Sequence, residues 1–245
     1  MKLKNDQKIF DRVEKKCLIT QVQKEHMLDI INQHMVKDDY HISDVFNIYF
    51  DTDNYDLIIQ SIEQPKFKHK LRARSYGGYD KVFFEIKTKM RGKDYNVGYK
   101  RRVRITKKDY QKLVKDHTKL VDLMPGNADT ENDYQIAREV DYLIEHYHLY
   151  PRILVEYRRE SYQGDNKLRI TFDEDLKYRI SDVSFRKSKK DENYFNDEKN
   201  IIMEIKAQGV LPLWLVHKLS AERIFPEQFS KVGKIYEKLR KEQNV

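Results

Sequence analysis

The sequence predicts an α+β fold of about eight antiparallel strands and five helices, and three observations carry that expectation. Charged residues occupy alternate positions in five short segments, glycine-bearing turns join neighbouring extended runs, and capped segments with a helical apolar period lie between them. A β-strand has a side-chain period of two, so alternation puts one kind of residue on one face. The five segments are RVEKK (Arg12, Glu14, Lys16), KLRAR (Lys70, Arg72, Arg74), EIKTK (Glu85, Lys87, Lys89), KRRVR (Lys100, Arg102, Arg104) and EIK (Glu204, Lys206). Such faces favour anions. The carboxylates among the cations suit a metal-phosphate site better than a nucleic-acid groove.

Each element has a local reason. Phe10 to Ile19 reads as a strand, and Thr20 caps a helix over roughly 21–37 whose apolar face holds Val22, Met27, Leu28, Ile31 and Met35. Val45 to Phe50 is a strand that stops at the turn cluster Asp51, Thr52, Asp53, Asn54, and Leu57 to Ser61 follows as a short helix or turn. Lys70–Tyr76 and Lys81–Lys89 flank Gly77 and Gly78 as a hairpin, and a connection near Gly92 leads to Val97–Ile105. Thr106 and Asp109 form a capping pair for a helix over 107–116. Met124 to Asn132 is a loop, Asp133 to Tyr147 is a helix, and Pro151 ends that segment. Arg152–Tyr162, the turn at Gly164–Asn166 and Lys167–Phe172 form another hairpin, with Leu168, Ile170 and Phe172 on one face and Arg169, Thr171 and Asp173 on the other. Lys187–Asn200 is a charged solvated loop, Ile201–Ala207 is a strand, a helix follows over 212–220, and the tail from Pro226 to Lys241 is helical.

At 245 residues the chain is read as one domain, 1–245, because barrels routinely reach this length as single units. Its 39% hydrophobic content includes 17 Tyr and 11 Phe, enough for a core, which excludes a disordered chain. The formal charge of +8 favours acidic partners without naming them. The single cysteine, Cys17, excludes an intramolecular disulfide framework and a multi-cysteine zinc site, and is read as a small core residue. No apolar run approaches the ~20 residues of a membrane span, and the start lacks a signal-peptide apolar region, so the chain is read as cytoplasmic and not inserted in a membrane.

A polyphosphate carries about one negative charge per phosphoryl unit, and transfer of its terminal unit needs neutralisation along the chain and a metal at the reacting group. A sheet that closes on itself supplies this, because alternate side chains of several strands then line a lumen. Arg suits bidentate phosphate contacts and Lys point-charge contacts. No P-loop or kinase spacing is present, so these side chains would have to hold a nucleotide. The rivals are a solvated outer sheet face and an electropositive RNA-binding sheet; the aromatics alternate with apolar residues and form no stacking platforms, which disfavours a nucleic-acid partner.

These residues resemble a known family, the polyphosphate polymerase domain of vacuolar transporter chaperones within the triphosphate tunnel metalloenzyme superfamily. The resemblance runs through FDRVEKK, YFDT at Tyr49–Thr52, KLRAR, FEIKTK, the YKRR strand, YRRESY, LRITFD and MEIKAQGVLPLWL to FSKVGKIYEKL, in order and over nearly the whole chain. It implies a closed eight-stranded antiparallel β-barrel, the triphosphate tunnel, with flanking helices. It implies phosphate-binding catalytic roles for Lys16, Arg72, Arg74, Lys87, Arg159 and Arg169, substrate contacts from Lys100, Lys206, Lys231 and Glu85, and a metal, Mn2+ or Mg2+, on Glu204. The superfamily's first strand often reads Glu-x-Glu-x-Lys; here Arg12 stands in the first acidic position and Glu14 in the second. A regular strand would also place Arg159 beside Val155 and Tyr157, among apolar neighbours.

The implied activity is metal-dependent transfer of the γ-phosphate of ATP, or another nucleoside triphosphate, onto a growing inorganic polyphosphate chain. The alternatives are a triphosphatase acting on nucleoside triphosphate or tripolyphosphate, and a non-catalytic module that binds polyphosphate or RNA. Nothing in the residues names a protein partner. His146 and His148 are read as surface residues without a third zinc ligand, Trp214 as core, and Asp51 and Asp53 as turn residues.

Overall fold

In the computed structural model, which describes residues 12–63, 66–77, 80–92, 96–188 and 201–243, the alternating segments form eight strands. The elements in chain order are β1 (Arg12–Ile19), α1 (Gln21–His34), β2 (Val36–Asp51), α2 (Asp56–Glu63), β3 (Phe67–Tyr76), β4 (Val82–Arg91), β5 (Asn96–Ile105), α3 (Lys107–Lys115), a 3-10 turn (Val121–Leu123), α4 (Glu131–Tyr147), β6 (Tyr150–Gln163), β7 (Arg169–Arg179), β8 (Ile201–Gln208), α5 (Leu213–Ala221) and α6 (Lys231–Gln243). The strands form one antiparallel sheet in the order β1-β8-β7-β6-β2-β3-β4-β5. Among the described residues no ladder joins β5 to β1, so hydrogen bonds do not close the barrel that the resemblance implies. Contacts divide the chain into two compact units, 1–43 with 158–175 and 196–229, and 44–157 with 176–195 and 230–245.

In the first unit β8 lies between β1 and β7, with Cys17 opposite Met203 and Phe172 opposite Met203 on its other side. One face of these strands carries Cys17, Ile19, Ile170, Phe172, Met203, Ile205 and Ala207, and α1 covers it with Met27 and Ile31 and α5 with Leu215 and Leu219. Helix α1 starts where its capping box places it: Thr20 Oγ1 accepts from the Gln23 amide at 3.2 Å and Gln23 Oε1 from the Thr20 amide at 3.0 Å. It ends at His34, short of the expected 37, because β2 begins at Val36, nine residues before the strand read from Val45. Val36, Tyr40 and Ile42 alternate with Lys37, Asp39 and His41, a strand period masked by residues that rarely favour strands. The stretch before α6 is extended, and the Glu227 amide donates to the Lys16 carbonyl at 2.7 Å, so the tail helix begins at Lys231 and not at Pro226.

In the second unit β3, β4 and β5 lie side by side as the expected antiparallel run and β2 joins them beside β3, with Tyr49 opposite Arg72, Arg72 opposite Glu85 and Glu85 opposite Arg102. Their apolar face, with Leu71, Ala73, Phe84, Ile86, Val103 and Ile105, packs under Tyr110 and Leu113 of α3 and Ile136, Ala137, Val140 and Leu143 of α4. Gly77 permits the close approach of the β3–β4 turn, since a Cβ there would lie 3.1 Å from that of Asp44; Gly78 lies outside the described residues. Thr106 caps α3 by accepting from the Asp109 amide at 3.1 Å. Helix α4 begins at Glu131, two residues before the expected start, and ends at His148, which adopts φ 55°; Pro151 falls inside β6. Most of the charged loop expected over 187–200 lies outside the described residues.

Leu154 and Tyr162 of β6 belong to the apolar clusters, whereas Val155 and Tyr157 do not. Both are nonetheless buried, and the Tyr157 ring lies 4.7 Å from the Lys231 ammonium, so an apolar neighbour of a cation is what this side of β6 presents. No helix among the described residues is long and apolar enough to cross a membrane.

Candidate functional site

In the first unit α1 and α5, and in the second α3 and α4, occupy one face of the strands, and the alternating charges occupy the opposite face. In the second unit the centre of that face is Glu85, whose side chain is 2% exposed. Arg72 grips it with Nε at 2.7 Å and Nη2 at 2.6 Å, Lys100 donates to its other oxygen, and Arg74 Nε lies 3.8 Å away. Burial alone would raise the Glu85 carboxyl, but Arg72, Arg74 and Lys100 outweigh it and hold it at about 2. Arg74 Nε also donates to Asn47 Oδ1 at 2.8 Å, and Asn47 donates to the Val155 carbonyl at 3.3 Å, fixing the guanidinium through a second strand.

Tyr49 joins this group, its hydroxyl accepting from Arg72 Nη1 at 3.3 Å. Burial raises its phenol, and the positive charges of Arg72, Lys70 and Arg74 more than reverse that, bringing it down to about 8. The next row pairs Lys70 with Lys87 and Lys87 with Lys100, three cations side by side. Lys87 is exposed. Lys70 donates to Ser230 Oγ at 3.1 Å, and Lys231, the first residue of α6, places its ammonium 4.7 Å from the ring centre of Tyr157. Cations in this number around one carboxylate leave a net positive surface able to take several phosphoryl oxygens.

The first unit presents a second set. Glu204 lies opposite Lys16 on β1 and Thr171 on β7, and Lys206 lies opposite Glu14 and Arg169. Lys206 Nζ is 3.0 Å from Glu204, and Arg159 Nη2 is 3.9 Å from it. Burial would raise the Glu204 carboxyl; Lys206, a hydrogen bond with Glu14, Lys16 and Arg159 together drive it well below the usual carboxylate range. Lys16 Nζ donates to the Phe229 carbonyl at 3.2 Å. Arg159 forms a two-pronged pair with the buried Asp173, at 2.6 and 2.8 Å. Arg169 pairs with Asp38 at 2.9 Å and contacts Ser161 Oγ at 3.3 Å.

Thus Arg72, Arg74, Glu85, Lys87, Lys100 and Lys231 fall within the second unit, and Lys16, Arg159, Arg169, Glu204 and Lys206 within the first. Among the described residues no group of three or more His, Cys, Asp or Glu side chains is arranged to hold a metal ion. Glu204 and Glu14 nevertheless lie on the same face of neighbouring strands, and carboxylate oxygens suit a hard divalent ion.

Tyr49, Asn47 and Asp173 escaped the sequence reading as site residues. Tyr49 and Asn47 do share strand parity, and the YFDT motif contains the first, which is the one signal available. Asp51, read as a turn residue, accepts from the amides of Thr52, Leu57 and Ile58 at 2.8, 2.9 and 2.9 Å and so caps α2. Trp214 is half-buried against the first unit's core and stacks on His34 with ring centres 4.6 Å apart.

The VTC domain family model matches residues 11–240. A search of curated proteins finds no match to the chain. Solved structures with a similar fold include a Hippeastrum protein described as an adenylyl cyclase candidate with a dominant triphosphatase activity, at 15% identity and TM-score 0.53, covering 91% of this chain and 93% of that one. The PH1819 protein of Pyrococcus horikoshii OT3 aligns at 13% identity and TM-score 0.47 over 93% of this chain and 99% of its own. At 15% identity the first likeness is one of fold alone: an eight-stranded antiparallel sheet with flanking helices.

Proposed function

The chain belongs to the VTC domain family, and on that premise we propose that it is a metal-dependent polyphosphate polymerase that moves the γ-phosphate of ATP onto a growing inorganic polyphosphate chain. The observation that carries this reading is the buried Glu85 ringed by Arg72, Arg74 and Lys100 on the strand face opposite α3 and α4. Cations held by a buried carboxylate are already oriented and partly desolvated, so they stabilise charge on a transferring phosphoryl group with little rearrangement.

In the proposed reaction the terminal oxygen of the polymer attacks the γ-phosphorus, the bond between the γ-phosphorus and its bridging oxygen breaks, and ADP leaves with that oxygen. The acceptor is already anionic, so no protein nucleophile or base is needed, and alignment supplies most of the acceleration. Arg72 and Arg74 hold the phosphoryl oxygens, with Lys87, Lys100 and Lys231 offsetting charge along the phosphate chain. Within the first unit Lys16, Lys206, Arg159 and Arg169 offset phosphate charge, Arg159 kept in direction by Asp173. Glu204, assisted by Glu14, would hold Mn2+ or Mg2+, which when bound neutralises phosphate oxygens. ATP as donor places the chain in the cytoplasm, with residues 1–245 working as one domain.

The test is to incubate the purified protein with ATP and manganese and resolve the products by length. ATP-dependent chains that vanish in Glu204→Ala, with the circular dichroism spectrum unchanged, are expected. Orthophosphate without chains would replace the polymerase by a triphosphatase, and retention on immobilised polyphosphate without turnover at any metal concentration would reduce the protein to a binding module.

A further inference from the structure

A cavity of about 330 Å3 lies within the second unit and shares no residue with the charged strand face. It is lined by the turn before α2 (Asp53, Tyr55), the start of β6 (Arg152) and one side of α6 (Tyr236, Leu239, Arg240). The three α6 residues are spaced i, i+3 and i+4 and so share a face of the helix. Tyr55 adopts φ 60°, a left-handed conformation that costs an aromatic residue energy and that tends to persist where a side chain must be presented. Its ring centre lies 5.6 Å from that of Tyr236.

Arg152 is fixed in direction without being used up. Its guanidinium lies 4.6 Å from the ring centre of Tyr55 and 5.0 Å from that of Tyr150, and Nη2 donates to the Asp53 carbonyl at 3.1 Å. The nearest Asp53 carboxylate oxygen is 3.9 Å from Nη1, beyond hydrogen-bonding range, and that carboxylate already accepts from the Tyr150 hydroxyl. Arg240 is exposed and has no ion-pair partner among the described residues. The first amides of α2 are occupied by Asp51 and by Thr52 Oγ1, which accepts from the Asp56 amide at 3.2 Å. An anion in this cavity would therefore be held by guanidinium groups and not by a helix end.

Two arginines against one aspartate leave the cavity positive, and two tyrosine rings with Leu239 give it an aromatic and aliphatic wall. Its volume falls at the lower end of the ~300–1,000 Å3 typical of small-molecule sites, which suits one nucleotide. We propose that this cavity binds a mononucleotide: a phosphate ester on a planar heterocycle, the ring against Tyr55 and Tyr236 and the phosphate on Arg152 and Arg240. The site is independent of the transfer reaction.

AMP is the probe, since it carries ring and phosphate but no transferable γ-phosphate. Isothermal titration of the whole chain with AMP in the absence of metal is expected to show one saturable site. Arg240→Glu should weaken it at least tenfold, because loss of one charge-assisted contact and gain of a like charge exceed the ~1.4 kcal/mol that corresponds to a factor of ten. Tyr236→Ala should weaken it severalfold, and inorganic phosphate should bind at least tenfold more weakly than AMP. Both side chains line the surface, so thermal melting should match the wild type; should Tyr236→Ala melt lower, Tyr236→Leu keeps the volume and removes the ring. Absence of saturable AMP binding, binding indifferent to both substitutions, or inorganic phosphate binding as tightly as AMP would each overturn the proposal.

Discussion

Replacing Glu85 by Gln keeps the shape of the side chain and removes its charge, leaving Arg72, Arg74 and Lys100 without the carboxylate that all three face. The Glu85 carboxyl lies at about 2 in the fold against an ordinary 4.5. At about 1.4 kcal/mol per unit, that depression makes the ionised carboxylate worth about 3 kcal/mol to the folded state near neutrality. The sign follows from the direction of the shift. A depressed carboxyl stabilises above its unfolded value and loses that contribution as pH falls towards its folded one, so the gap between wild type and Glu85→Gln should narrow by about 2 kcal/mol between pH 7 and pH 3. Urea unfolding of both proteins at pH 7, 5 and 3 measures this. Tripolyphosphate, which would supply the missing negative charge, should also raise the unfolding midpoint of Glu85→Gln more than that of the wild type. Equal stability of the two proteins at pH 7, or a gap that widens as the solution is acidified, would refute the assignment of Glu85 as the counter-ion of a buried cation set.

Lys24, only 5% exposed, joins Glu160 at 2.7 Å and also Glu174, so Lys24→Met should cost about 1–3 kcal/mol by leaving two half-buried carboxylates without their cation; a urea midpoint close to that of wild type would contradict the pairing. Burial, with Glu227 adding and Lys15 opposing, pushes the Cys17 thiol up to about 11. The native protein should therefore resist a thiol-specific disulfide reagent at pH 8 and react fully once unfolded, and labelling of the native state at the rate of a free thiol would expose the site as open. His148 is exposed and ends α4 at φ 55°, so His148→Gly should gain about 0.5–1 kcal/mol, read as a higher melting temperature.

How much of this could be read before folding depends on the distance over which each feature is encoded. The two-residue period of KLRAR, EIKTK and KRRVR, the caps at Thr20 and Thr106 and the glycine turn after β3 involve neighbours two to four residues apart, and each appears where the chain predicted it. The limits of β2 and α6 were misjudged because local propensity was overruled, in the second case by a backbone hydrogen bond from Glu227 to Lys16. Parity put Arg159 beside Val155 and Tyr157, which are buried as apolar residues are, while the Tyr157 ring also meets the Lys231 ammonium, a contact no local pattern shows.

By itself the sequence determined that this is a strand-rich chain with cations and carboxylates on single strand faces, and the order of its motifs determined the family. Only the tertiary structure decided which charge answers which: Glu85 to Arg72 and Lys100, Asp173 to Arg159, Lys24 to Glu160 and Glu174, and Asp38 to Arg169. The reason is physical. A side chain's face follows from its own backbone, whereas its partner follows from the register of strands and helices that can lie more than a hundred residues apart, as Lys24 and Glu174 do, and that register is set by the packing of the whole apolar core.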